Sequence, residues 1–135
     1  MLLRNILYGG SPMEILQSIV FSLVAILIAM TFHEFAHAFA ADKCGDPTAK
    51  MLGRMTLNPM KHLNPTGIVL HLLFGFGWAN PVLITPQNFK NKRVGMVVTS
   101  AAGPLMNFII CFIALCIHVA FSILTFMNDG NGILS

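Results

Sequence analysis

Two long stretches of this 135-residue chain are almost free of charge, and they limit what it can fold into. The first runs from Ile15 to Ala41 and the second from Val94 to Met127. Each exceeds the roughly 20 apolar residues that a helix needs to cross the hydrocarbon core of a bilayer. At 1.5 Å per residue the first would be about 40 Å long. A secretory signal has a shorter apolar region followed by a small-residue cleavage site, so a retained spanning helix is the better reading. A mean hydropathy of +0.75, with only 10% charged residues, argues against a soluble globular class.

The predicted fold is therefore an all-α membrane protein forming one domain over residues 1–135. It has two long transmembrane helices, a short broken or re-entrant hydrophobic segment, and extended Asn-Pro loops. The short segment, Gly67 to Ala79, is interrupted by Gly75 and Gly77 and is too brief for an ordinary span. Gly103-Pro104 should kink the second long helix or mark its true start.

Basic residues give an orientation. Lys43, Lys50, Arg54 and Lys61 lie in the first connection, and Lys90, Lys92 and Arg93 precede the second long helix. Only Arg4 comes before the first. The positive-inside rule then places both connections in the cytoplasm. Membrane anchoring accounts for the net charge of +3, so no nucleic-acid partner is indicated. Cys44, Cys111 and Cys116 form no CxxC pair and suggest neither a disulfide framework nor a thiolate metal site.

One polar motif breaks the first apolar stretch: His33-Glu34-Phe35-Ala36-His37. Ionisable groups at membrane depth are costly unless they are paired or do chemistry. On a helix, residues four apart share a face, so His33 and His37 can reach one metal ion. Glu34, rotated by about 100°, can hold a water beside that ion. The bland alternative is a polar seam in a helix bundle. The arrangement is that of a zinc hydrolase set within a bilayer, with one Zn2+ per chain. His37 precedes Asp42 by about 8 Å of helix rise, which puts the site nearer the cytoplasmic face.

After the motif come two Asn-Pro pairs, Asn58-Pro59 and Asn64-Pro65. Asparagine before proline favours turns or extended backbone. They read either as surface turns or as a rigid extended segment that offers its backbone to a substrate by strand addition. His62 between them is expected to be solvated, with ligation as the alternative. Trp78 reads as an interfacial anchor, and Val82-Leu83-Ile84 after Asn80-Pro81 as a short strand. His71 and His118, on apolar segments, are expected to be packed and hydrogen-bonded.

Taken together, these motifs resemble the site-2 protease family of intramembrane zinc metalloproteases, in its compact prokaryotic form. The residues that carry the resemblance are His33-Glu34-Phe35-Ala36-His37-Ala38, Gly45-Asp46-Pro47-Thr48-Ala49-Lys50 and Gly53-Arg54-Met55-Thr56-Leu57-Asn58-Pro59. To these are added His62-Leu63-Asn64-Pro65-Thr66-Gly67, Gly77-Trp78-Ala79-Asn80-Pro81-Val82 and Ala102-Gly103-Pro104-Leu105-Met106-Asn107. The resemblance implies that His33 and His37 bind zinc and that Glu34 is the catalytic base. It also implies a membrane-protein substrate and a place in a prokaryotic cell membrane.

The chain departs from the family pattern in two ways. Members often carry an aspartate and a lysine where Asn64 and Asn80 stand here. The family also takes its third zinc ligand from an Asn-x-x-Pro…Asp-Gly motif on a later helix. Asp129-Gly130 matches only the last two letters, so Asp129 reads as a loop residue, with ligation as the alternative. The expectation is a piece of a longer protease that ends before the helix completing the site. A non-catalytic substrate-binding or scaffold protein is the competing reading. A metal transporter is weaker, because no second ligand cluster marks a pathway.

Overall fold

The computed structural model describes residues 9–131, with side chains through Asn128. Among the described residues, four α-helices follow in order: α1 (Pro12–Cys44), α2 (Thr48–Met51), α3 (Pro65–Phe74) and α4 (Lys92–Asn131). Two 3-10 turns, Pro59–Lys61 and Pro86–Asn88, punctuate the connections. The fold is all-helical, and no strand occurs among the described residues. Among the described residues, two helices, α1 and α4, are long and apolar enough to cross a membrane.

Local chemistry sets the ends of α1. Ser11 caps its start, accepting from the Glu14 amide while the Glu14 carboxylate accepts from the Ser11 amide, and Pro12 follows at the first helical position. Gly45 ends the helix at φ 109°, in the left-handed region that a side chain would strain. The Gly45 amide closes onto the Ala41 and Asp42 carbonyls.

α1 packs along α4, and the shielding is uneven along their length. Around the motif, Ala36, Ala38, Ala40 and Ala41 on α1 and Thr99 and Gly103 on α4 are all buried. From Phe108 onward, α4 is apolar and exposed, with Phe108 at 72% and Phe126 at 80%. Exposed apolar surface on that scale fits lipid or partner helices better than water.

Gly103-Pro104 does not mark a helix start. α4 begins at Lys92 and runs through Pro104. Proline has no amide hydrogen, so the Ser100 carbonyl one turn earlier loses its usual helical partner.

The Asn-Pro pairs act as helix caps. Asn58 Oδ1 accepts from the Met60 amide at 3.0 Å, and Asn64 Oδ1 accepts from the Gly67 amide at 3.0 Å. In both, the following proline occupies the first helical turn. The short hydrophobic piece becomes α3, closed by Gly75 in the left-handed region. Asn80-Pro81 instead opens a non-helical run to Thr85, which pairs with no strand among the described residues, so the expected strand at Val82-Leu83-Ile84 is absent. Asn64 and Asn80 touch each other, Nδ2 donating to Oδ1 at 2.9 Å. Asn80 also donates to the Leu63 carbonyl, and its amide to the His62 carbonyl. The two asparagines that stand where family members often carry an aspartate and a lysine therefore touch each other.

Asp46 ties the run after Asn80 to the end of α1. It is fully buried, and its carboxylate accepts from the Thr48 amide and hydroxyl, the Thr85 amide and the Asn88 side chain. Burial pushes this carboxyl up, but the hydrogen bonds together outweigh it and hold the group below its ordinary value.

Candidate metal centre

His33 and His37 stand one turn apart on α1, and α4 crosses over them. Their Nε2 atoms are 3.1 Å apart. Two nitrogens on a tetrahedral zinc, each about 2.05 Å from the ion, would be about 3.3 Å apart. The opposite nitrogen of each ring is held by α4. His37 Nδ1 donates to the Thr99 carbonyl at 2.6 Å, and His33 Nδ1 lies 3.1 Å from Asn107 Nδ2.

Gly103 lies between these two anchors. A Cβ there would stand 2.4 Å from His37 Nε2 and 2.6 Å from His33 Nε2. Space facing both nitrogens therefore exists only because the residue is glycine. Thr99, Gly103 and Asn107 recur every fourth residue, which puts them on one face of α4. The donor chemistry, the nitrogen spacing and the empty Cβ position all suit a small divalent cation such as zinc.

Glu34 is buried and turned aside from the imidazole pair, its Oε2 accepting from the Val82 amide at 3.0 Å. Glu34 and His37 line a cavity of about 190 Å³ together with Pro81, Val82, Ile84 and Ser100. The backbone run opened by Asn80-Pro81 thus borders the carboxylate directly.

Other sequence candidates lie elsewhere. No cluster of three His, Cys, Asp or Glu side chains able to hold a metal occurs among the described residues. Asp129 falls in the last turn of α4 and not in a loop, since the helix continues to Asn131; its side chain lies outside the described residues. His62 is fully buried where solvation was expected, its Nε2 bonded to the Thr56 carbonyl at 2.9 Å. That contact pins the loop between the two Asn-Pro pairs. His71 is hydrogen-bonded to Ser22 at 2.5 Å, whereas His118 is exposed on α4. Asn58, Pro59, Asn64 and Pro65 shape the connection, and none of them lines the cavity beside Glu34.

The roles of Thr99, Gly103, Asn107 and Val82 were not assigned from sequence. Asn107 could have been noticed as a polar side chain in an uncharged span. Val82 acts through its backbone, which leaves no mark in a residue pattern.

Residues 21–129 match the family model described as Peptidase family M50. The chain belongs to that family. It is 49% identical over 90 residues to "Putative zinc metalloprotease YwhC" of Bacillus subtilis (strain 168), covering 67% of this chain and 41% of the relative. It is 27% identical over 115 residues to "Putative zinc metalloprotease Rip2" of Mycolicibacterium smegmatis (strain ATCC 700084 / mc(2)155), covering 82% and 44% respectively. The chain thus aligns over less than half the length of these curated relatives. No solved structure gives a significant match. Membership of family M50, with two apolar helices of spanning length, points to an integral membrane protein of protease type.

Proposed function

We propose that this M50 chain supplies the catalytic base and two zinc ligands of an intramembrane metalloendopeptidase that cuts transmembrane segments of membrane-bound substrates. One observation carries the reading. Two imidazole nitrogens converge beneath a glycine, and a buried carboxylate on the same helix faces an adjoining cavity. His33 and His37 would hold one zinc through Nε2. Zinc held there supplies Lewis-acid chemistry, lowering the pKa of water and polarising the scissile carbonyl.

The remaining work falls to the chain's own side chains and backbone. Glu34 takes a proton from the attacking water at its carboxylate and passes it to the leaving amine. A helical substrate must first unwind, because its carbonyls are bonded within the helix. The run from Pro81 to Ile84 borders the cavity and offers backbone to the unwound strand. The Asn58-Pro59 and Asn64-Pro65 pairs are placed to shape this run and not to grip substrate themselves. By the positive-inside rule the cavity would open nearer the cytoplasmic face of a prokaryotic cell membrane.

A second reading is a non-catalytic scaffold that binds substrate without cutting. It is favoured by the lack of a third ligand among the described residues. Zinc content decides between the two: the protease reading expects one zinc per full-length protein purified without chelator, and the scaffold reading expects none.

A further inference from the structure

One residue on the wall of the cavity beside Glu34 carries polar groups that the chain itself leaves unpaired. α4 contributes Ser100 to that lining, next to Glu34 and His37 from α1 and to Pro81, Val82 and Ile84. Ser100 is exposed there. Its carbonyl would ordinarily accept from the amide four residues on, but residue 104 is proline and has no hydrogen to donate. Its hydroxyl makes no hydrogen bond among the described residues. The other serines within the two long helices behave differently. Ser18 and Ser122 turn back onto carbonyls of their own helix, at 3.1 and 2.9 Å, and Ser22 reaches His71 on α3.

At membrane depth, polar groups without partners are costly, and they are tolerated where they line a cavity that something polar enters. Proline inside a helix adds a cost of its own. Both costs fall on the one residue that α4 contributes to this lining. Ser100 offers a carbonyl that accepts and a hydroxyl that can donate. An extended peptide presents the complementary pair, an amide and a carbonyl.

We propose that Ser100 binds the main chain of the substrate strand in this cavity. Its carbonyl accepts from a substrate amide, its hydroxyl donates to a substrate carbonyl, and Pro104 serves the contact by keeping the Ser100 carbonyl free. Ser100 is then a specificity-determining residue that reads backbone and not side chains. In a helical peptide both groups are already bonded within the helix, so the contact selects unwound segments whatever their sequence. This inference rests on the protease reading and deepens it by naming what recognises the substrate.

The test uses full-length, zinc-loaded protein in detergent micelles and a synthetic leucine-rich peptide with a fluorophore and a quencher on either side of its cleavage point. Ser100→Ala should raise KM about 2–10-fold, the worth of one neutral hydrogen bond, and change kcat less. Ser100→Thr, which keeps the hydroxyl, should recover most of that loss. Pro104→Ala gives the Ser100 carbonyl a helical donor, so it should raise the unfolding temperature and yet raise KM by a similar factor. A purely structural role would lower the active fraction, and with it kcat, without moving KM. Esters placed one at a time around the cleavage point remove single amide donors from the peptide. At one position the ester should cost wild type that same factor and cost Pro104→Ala nothing further. An unchanged KM for Ser100→Ala, or no ester position that separates wild type from Pro104→Ala, would overturn the assignment. If wild type leaves the peptide uncut, or Glu34→Gln cuts it as fast, the protease reading fails and takes the assignment with it. If cleavage depends on Glu34 and Ser100→Ala keeps the wild-type KM, only the assignment fails.

Discussion

The two ends of the α1–α4 pair are built on opposite principles. At the Gly103 end, the glycine lets the helices approach, His33 and His37 are tied to α4, and Glu34 is tied to the run from Asn80 to Thr85. Toward the far end an apolar cleft of about 370 Å³, lined by residues that include Ile28, Phe32, Met106 and Ile113, separates α1 and α4. Lipid is as apolar as leucine, so apolar side chains alone give two membrane helices little reason to associate. Close packing and interhelical hydrogen bonds supply that reason, and here they coincide with the candidate centre. The parts that position the histidines are also the parts that hold the helices together.

The sharpest way to break this comparison is to remove chemistry without removing structure. Glu34→Gln keeps the shape of the side chain and an oxygen to accept from Val82, but cannot carry the proton. Cleavage of a membrane substrate by the full-length protein should fall on the order of 10²–10⁴-fold, with the unfolding temperature little changed. Unchanged cleavage would remove Glu34 from the mechanism.

A second test fills the space between ligands and helix. Gly103→Ala puts a methyl group within 2.4–2.6 Å of both Nε2 atoms, so the rings or α4 must move. Zinc affinity should drop on the order of 100-fold, as expected when ligand orientation is lost. A variant that binds zinc normally would show that the ion sits away from this gap.

How far the sequence revealed these parts depended on which atoms do the work. The spanning stretches and the HExxH face were legible because they are patterns of side-chain type: long apolar runs, and two histidines at helical spacing. The family resemblance then supplied the expected roles of His33, Glu34 and His37. Thr99 escaped because only its carbonyl is used, and Val82 because only its amide is used. At Asn58 and Asn64 the Asn-Pro pattern points to turns or a substrate ledge, and the structure adds that Asn58 caps a 3-10 turn and Asn64 caps α3. His62 was expected in solvent because its neighbours in the chain are polar, yet the loop closes over it. Local pattern reports what a residue resembles, whereas contacts across Asn64–Asn80 or Asp46–Thr85 exist only after the chain has folded back.

Asp46 gives the intermediate effect, outside the membrane. Asp46→Asn loses charge-assisted hydrogen bonds from Thr48, Thr85 and Asn88 and should cost about 1–3 kcal/mol of stability near neutral pH. The folded-state pKa is held below the ordinary 3.8, so the unfolded chain takes up the proton first as pH falls. The stabilisation is complete above the ordinary value and is lost as pH drops through the lower, folded value. Thermal unfolding in micelles should show an acid limb that the asparagine variant flattens. An identical limb in both proteins would mean that other carboxylates set the acid response.

The smallest effect is expected at the far end, and its smallness is what makes it informative. Phe112 is 60% exposed on α4, beyond the last contact that positions His33. If lipid covers that face, Phe112→Leu exchanges one apolar surface for another and forfeits no packed partner. Stability should change by less than about 0.5 kcal/mol, and zinc affinity should not change. If instead another protein helix packs there in the full-length protein, the lost ring leaves a void in a fitted interface, with a cost of about 1 kcal/mol or more. The measurement is unfolding of the full-length protein in micelles, compared with the same substitution at Phe126, which is 80% exposed. A penalty at Phe112 but not at Phe126 would show that the far half of the pair is held by protein as well, and that the contrast between its two ends belongs only to the contacts within this chain.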